Sequence, residues 1–144
     1  ELQRLCAGTG VVHREHNPSP AEPVHFMQIW IMPERRGLAP EYAQRAWADR
    51  ELRAGLRLLA SPDGRDSSVR IHQDVSLLAA RLAADECVEH ALGDGRRAWL
   101  QVVRGALAVN GEEAGAGDGV AIEGERGVRV EAKGDAEVLL FDLA

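Results

Sequence analysis

Ala98-Trp99-Leu100-Gln101-Val102-Val103-Arg104-Gly105-Ala106-Leu107-Ala108-Val109-Asn110-Gly111 is the stretch whose reading decides the fold. Residues 98–109 form an apolar run rich in strand formers, and the run ends on Asn-Gly. That dipeptide tolerates the positive φ values of a type I′ turn, which makes it the strongest hairpin signal in the chain. Gly105 interrupts the run and predicts a bulge or a barrel corner.

The same character extends in both directions. Leu56–Leu59 and Val69–His72 flank the polar, turn-rich Ser61-Pro62-Asp63-Gly64-Arg65-Asp66, and Val75–Leu82 is a further apolar stretch. Downstream, Gly117–Gly119 and Gly124–Gly127 set off Val120–Ile122 and Val128–Val130, and Val138–Leu143 is the last strand-like segment. Roughly eight short strands at regular spacing predict an all-β small barrel or jelly roll, whose inward side chains can line a cavity.

The composition agrees. Of 144 residues, 45% are apolar, enough for a core. The formal charge is −6, and the longest basic runs are the Arg35-Arg36 and Arg96-Arg97 pairs, which argues against direct nucleic-acid binding. Cys6 and Cys87 have no metal or redox spacing and read as reduced, so a cytoplasmic location is expected. No apolar run approaches the ~20 residues of a membrane span. The first residue, Glu1, is not a methionine, and the expectation is a piece of a longer protein.

Upstream, Gly8-Thr9-Gly10-Val11-Val12-His13-Arg14-Glu15-His16-Asn17-Pro18 carries the candidate chemistry. Val11–His16 is read as a strand. On a strand, residues i and i+2 share a face about 6.6 Å apart. His13 and Glu15 then lean toward one point, and an imidazole and a carboxylate so placed are half of a metal site. Val24–Met32 is read as a second strand covered on both faces, paired with the first across the proline-rich loop 17–23. From Pro40, the sequence through Trp47 is read as a short helix inside a connector at 33–50.

These blocks together resemble the pirin family of the cupin superfamily. The resemblance is carried by residues 8–19 and by Gln28-Ile29-Trp30-Ile31-Met32-Pro33. Gly37-Leu38-Ala39-Pro40-Glu41-Tyr42, residues 61–66, His72-Gln73-Asp74 and Leu139-Leu140-Phe141-Asp142-Leu143 add to it. It implies an all-β bicupin: residues 1–32 as the remnant of an N-terminal barrel, 33–50 as a linker, and 51–144 as a C-terminal cupin barrel. It also implies a metal, usually iron (Fe2+), held by three histidines and one glutamate. His13 and Glu15 match the second pair of those metal ligands. The His-x-His that supplies the first pair has no counterpart here, and the second barrel shows no metal motif.

Two functions follow from the resemblance. One is a quercetin (flavonol) 2,3-dioxygenase acting on a flavonol-like small molecule and dioxygen, with Glu15 as catalytic proton acceptor in the intact protein and the chain alone inactive. The other is a redox-responsive, protein-binding regulator of the transcriptional-cofactor type. Exposed N-terminal strand edges also predict a homodimer. His16 and His90 are read as surface residues, His25 as a packed histidine, and His72 as structural. Trp30, Trp47 and Trp99 are read as packing residues, and both cysteines as small buried hydrophobes.

Overall fold

The computed structural model describes residues 1–144. The decisive stretch folds as β7 (Arg97–Arg104) and β8 (Ala106–Val109), with Gly105 between them and the Asn110-Gly111 turn leading into β9 (Glu112–Gly115). Asn110 and Gly111 have φ of 49° and 92°, as a type I′ turn requires. Gly105 has φ of 81°, and a side-chain carbon there would stand 2.2 Å from the carbonyl oxygen of Asp135. No other residue fits both conditions. The glycine turns the chain from one sheet into the other, so it is the barrel corner.

The remaining strands are β3 (Arg57–Ser61), β4 (Val69–Arg70), β5 (Val75–Leu82), β6 (Cys87–Ala91), β10 (Gly119–Ile122), β11 (Gly127–Ala132) and β12 (Ala136–Leu143). One sheet has the order β10-β7-β12-β5-β3-β4 and the other β6-β11-β8-β9. Every pairing is antiparallel except β3 with β4. The inward side chains of both sheets, among them Leu78, Leu100, Leu107, Val130, Val138 and Leu140, make the main core. This two-sheet sandwich closed at glycine corners is the all-β cupin barrel that the sequence predicts.

A second apolar layer lies on the outer face of the six-stranded sheet. It is built from Leu59, Val69, Ile71, Val75, Leu77 and Ala79, and the N-terminal part of the chain covers it through Leu2, Ile29, Ala43, Trp47 and Leu52. β5 is therefore apolar on both faces, as a strand enclosed on both sides must be.

The N-terminal part departs from the sequence reading. β1 (Leu2–Cys6) pairs antiparallel with β2 (Glu41–Arg45), not with the segment after the proline loop. The helix expected from Pro40 is this strand, and the helix α1 (Asp49–Arg53) begins later. Two features override the helical spacing. β1 offers an edge to pair with, and Ala43 and Trp47 both pack against the barrel. α1 starts where the Glu51 carboxylate accepts the Ala48 N–H (2.9 Å), and Asp49 pairs with Arg53 at i,i+4 (2.6 Å).

Val11–His16 and Val24–Met32 form no strands, because no neighbouring strand lies beside them to complete a ladder. Val12 is fully exposed, Trp30 is 88% exposed, and His25 also faces solvent, so the packing roles expected for Trp30 and His25 are not met in this chain. Cys87 is likewise exposed and Cys6 half-buried, not buried as expected. β6, which the sequence reading passed over, is an alternating strand whose Val88 and His90 are half-buried.

Candidate metal centre

The glycine turn before the candidate ligands is fixed by close packing. Gly8 has φ of 53°, and a side-chain carbon there would stand 2.4 Å from the carbonyl oxygen of Leu38. The Gly10 N–H donates to the Ala7 carbonyl (2.8 Å) and closes the turn. Beyond it, Val11–His16 carries its side chains without sheet pairing. The loop that follows is held by its own polar groups: Asn17 donates to the Glu22 carbonyl (2.7 Å), and the Ser19 hydroxyl accepts from the N–H of Glu22 (2.9 Å).

Within this segment His13 and Glu15 do converge. His13 Nδ1 lies 3.5 Å from Glu15 Oε1, with the two side chains 43% and 50% exposed. Two donors of one ion, each about 2.1 Å from it, can span that separation. The donor chemistry, one imidazole nitrogen and one carboxylate oxygen, suits a divalent transition metal. No third His, Cys, Asp or Glu joins the pair. The donor chemistry of the residues present fits one side of a metal site, of which His13 and Glu15 could hold two positions. His16 is exposed, as read from the sequence.

Two other histidines, His72 and His90, are tied into the barrel. His72 Nε2 lies 3.3 Å from Glu41 Oε2, and the same carboxylate oxygen accepts from Arg4 Nη1 (2.8 Å). The Arg4 hydrogen bond first, and that of His72 second, hold the Glu41 carboxyl below its ordinary value of 4.5. This trio ties β1 and β2 to His72, and Gln73 holds the segment before β2 by donating to the Met32 carbonyl (2.9 Å). His72 is structural, as read from the sequence.

His90 is not the surface residue expected. Its Nε2 lies 2.8 Å from Asp142 Oδ2, and the other carboxylate oxygen accepts from Arg96 Nε. Arg96 also donates to the Asp142 carbonyl (3.1 Å) and to Asp74 (3.1 and 3.2 Å). Asp142 is only 8% exposed. A signal for this group was present in the sequence. Strand alternation puts Asp142 on the face of Val138 and Leu140, and Ser76 on the face of Leu78 and Ala80, both inward at one mouth of the barrel.

Comparison with known proteins agrees with this architecture. The family model described as "Pirin" matches residues 1–31, and the one described as "Quercetinase C-terminal cupin domain" matches residues 58–143. The quercetin 2,3-dioxygenase of Escherichia coli (strain K12) is 46% identical over 143 residues, which cover 99% of this chain and 61% of that protein. A pirin-like protein of Caulobacter vibrioides is 34% identical over 145 residues, covering all of this chain and 62% of that protein. The chain thus spans about six tenths of the length of the curated relatives it matches. The crystal structure of bacterial pirin YhhW from Escherichia coli in complex with nickel(II) superposes with a TM-score of 0.74 at 45% identity. That match covers 79% of this chain and 48% of YhhW. Two family models that together span both segments, and a barrel that superposes on a pirin at this identity, establish that the chain belongs to the pirin family of cupins.

Proposed function

We propose that the chain is part of a metal-dependent pirin that oxidatively cleaves a flavonol such as quercetin with dioxygen. Residues 1–32 belong to a first barrel, 33–50 to the linker, and 51–144 to the second barrel. The observation that carries the reading is the convergence of His13 and Glu15, 3.5 Å apart, inside the segment that the pirin model matches. The names of the relatives, a quercetin 2,3-dioxygenase and a nickel-bound pirin, support the substrate class and the need for a metal.

In this reading His13 and Glu15 hold two positions on the metal, with iron as the favoured ion. The remaining ligands come from a preceding His-x-His in a protein of the relatives' length. A bound divalent ion supplies Lewis-acid polarisation of a chelating hydroxyl-carbonyl substrate. Glu15 would also accept the proton of the substrate hydroxyl, through the carboxylate oxygen that does not face His13, since its side chain is half-exposed. The chain by itself, with two ligands, turns over no flavonol. Its two free cysteines fit a cytoplasmic location.

The test uses the full-length protein. Metal content by mass spectrometry and oxygen uptake with quercetin should both be lost in His13→Ala. Glu15→Gln should keep at least part of the metal and lose turnover. Undiminished oxygen uptake in Glu15→Gln would sink the assignment of Glu15.

A further inference from the structure

The segment that carries His13 and Glu15 leaves the body of the protein and returns to it. It leaves at Gly8, whose backbone packs against that of Leu38, Ala39 and Pro40 with no room for a side-chain carbon. Just before this point, Cys6 stands opposite Glu41 in the β1–β2 ladder. The segment returns at Ile29, which packs on the apolar layer of the six-stranded sheet, and at Met32 to Glu34. Between these points residues 9–31 form no strand, and Val12, Phe26 and Trp30 are exposed.

Two adjacent residues of the barrel grip both ends. The His72 ring, 16% exposed, lies 3.3 Å from the Glu41 carboxylate, which also accepts from Arg4 of β1 (2.8 Å). The His72 carbonyl accepts the Glu34 N–H (2.7 Å), and the Gln73 side-chain amide donates to the Met32 carbonyl (2.9 Å). Pro33 has no N–H to offer, and the clasp takes the carbonyl before it and the N–H after it.

Gln73 is itself anchored. Its side-chain oxygen accepts the Asp74 N–H (2.9 Å), and its carbonyl accepts the Val75 N–H (2.8 Å) at the start of β5. Asp74 accepts from Arg96 (3.1 and 3.2 Å), which is held in turn by the buried Asp142. An unpaired excursion fixed at one end samples many positions, and fixing both ends at one anchored point removes most of them.

We propose that His72 and Gln73 are positioning residues for the metal centre. They pin the two ends of the excursion that carries His13 and Glu15, so the C-terminal barrel sets where those ligands stand. The inference rests on the metal-dependent reading above and gives the second barrel a part in the chemistry of the first.

The experiment uses the full-length protein with cobalt(II) as the probe. Affinity is read from the visible absorption of the bound ion, and backbone amide exchange is read by nuclear magnetic resonance. Gln73→Met keeps the length of the side chain and removes the donor. Exchange at the Glu34 amide should accelerate about fivefold, the factor expected for one neutral hydrogen bond. Cobalt(II) affinity should fall roughly twofold to fivefold, because only the pinned conformation presents both ligands. His72→Gln, which can still donate to Glu41, should retain more affinity than His72→Ala. Gln101→Met is the matched control, since its amide donates to the Gly117 and Asp118 carbonyls (3.0 and 2.9 Å) beside β10. It should lower the thermal midpoint at least as much as Gln73→Met and leave cobalt(II) affinity and Glu34 exchange unchanged.

Unchanged Glu34 exchange in Gln73→Met would overturn the pin. Faster exchange with undiminished cobalt(II) affinity would overturn the positioning role and leave the clasp purely structural. An equal loss of affinity in Gln101→Met would overturn it too, since the effect would then follow stability. Equal losses in His72→Gln and His72→Ala would overturn the part given to the ring. If His13→Ala keeps the full affinity, the metal reading fails and the metal role of the pin fails with it, while Glu34 exchange still decides whether the clasp holds the segment.

Discussion

Asp142 is the residue whose replacement tests the barrel mouth most directly. Its side chain is 12% exposed and is shared between Arg96 (24% exposed) and His90 (21% exposed). Asp142→Asn keeps the shape and removes the charge. The loss is at least one charge-assisted hydrogen bond, about 1.5–3 kcal/mol, and it leaves a mostly buried guanidinium with a weaker acceptor. Arg96 retains Asp74 as a partner, but that carboxylate is 61% exposed and compensates little. The expected cost is therefore about 2–3 kcal/mol, less than the 3–5 kcal/mol of fully breaking a buried pair. For a chain of this size that lowers the thermal midpoint by roughly 10 °C, read by circular dichroism. Glu131→Gln is the control, since its carboxylate meets Arg129 at 2.6 Å on an exposed surface and should leave the thermal midpoint essentially unchanged. A double-mutant cycle with Arg96→Met should recover most of the Asp142→Asn cost, because the pair then disappears together. If Asp142→Asn is no more harmful than Glu131→Gln, the buried carboxylate is not what ties β6, β7 and β12 at this end, and the reasoning fails.

Three further outcomes are expected. Gly105→Ala should cost about 3 kcal/mol in chemical denaturation, from the left-handed backbone and the approach to the Asp135 carbonyl; a loss below about 1 kcal/mol would remove the corner role. The depressed Glu41 carboxyl contributes stability that is complete above the ordinary value of 4.5 and is lost as pH falls through the lower folded value. Docking of β2, followed by Trp47 fluorescence, should loosen in that acid window, and Glu41→Gln should be loose and flat across it; an unchanged acid profile in Glu41→Gln would contradict the trio with Arg4 and His72. The exposed Val12, Trp30 and Met32 should drive self-association of the chain into at least a homodimer, and serine at 30 and 32 should reduce it in analytical ultracentrifugation; a monomer at every concentration would refute this.

Where the sequence was legible, a local rule and the tertiary structure demanded the same thing. Asn110-Gly111 needed a type I′ turn, and the strands on either side could accept it, so the hairpin is where it was read. Gly105 was legible because only glycine meets the corner's backbone and its clearance from Asp135. Pro40–Trp47 was misread because its i,i+4 pairs satisfy a helix locally, while the pairing that decides the matter comes from Leu2–Cys6, nearly forty positions away. Local propensity cannot see that edge. Val11–His16 and Val24–Met32 failed for the opposite reason. Their strand pattern is sound, but a strand is a relation between two segments, and none lies alongside them here.

The metal pair and the barrel-mouth group differ in the same way. His13 and Glu15 follow from a spacing of two in an extended backbone, so their convergence survives even though the ladder does not form. The barrel-mouth group has no short spacing at all. Ser76, His90, Arg96 and Asp142 lie on or beside four different strands, and they meet because β5 and β12 pair in register with Ser76 opposite Asp142 while β6 closes over them from the other sheet. Each of these residues alone reads as polar and exposed. Only the alternation of buried positions along β5 and β12 marks them as inward, and that mark becomes meaningful once the two strands are known to share a sheet. A pair made by the local backbone can be found by scanning. A cluster made by register has to be folded first, which is why a buried aspartate at the end of an apolar strand is a stronger pointer to a polar cluster than its sequence neighbours suggest.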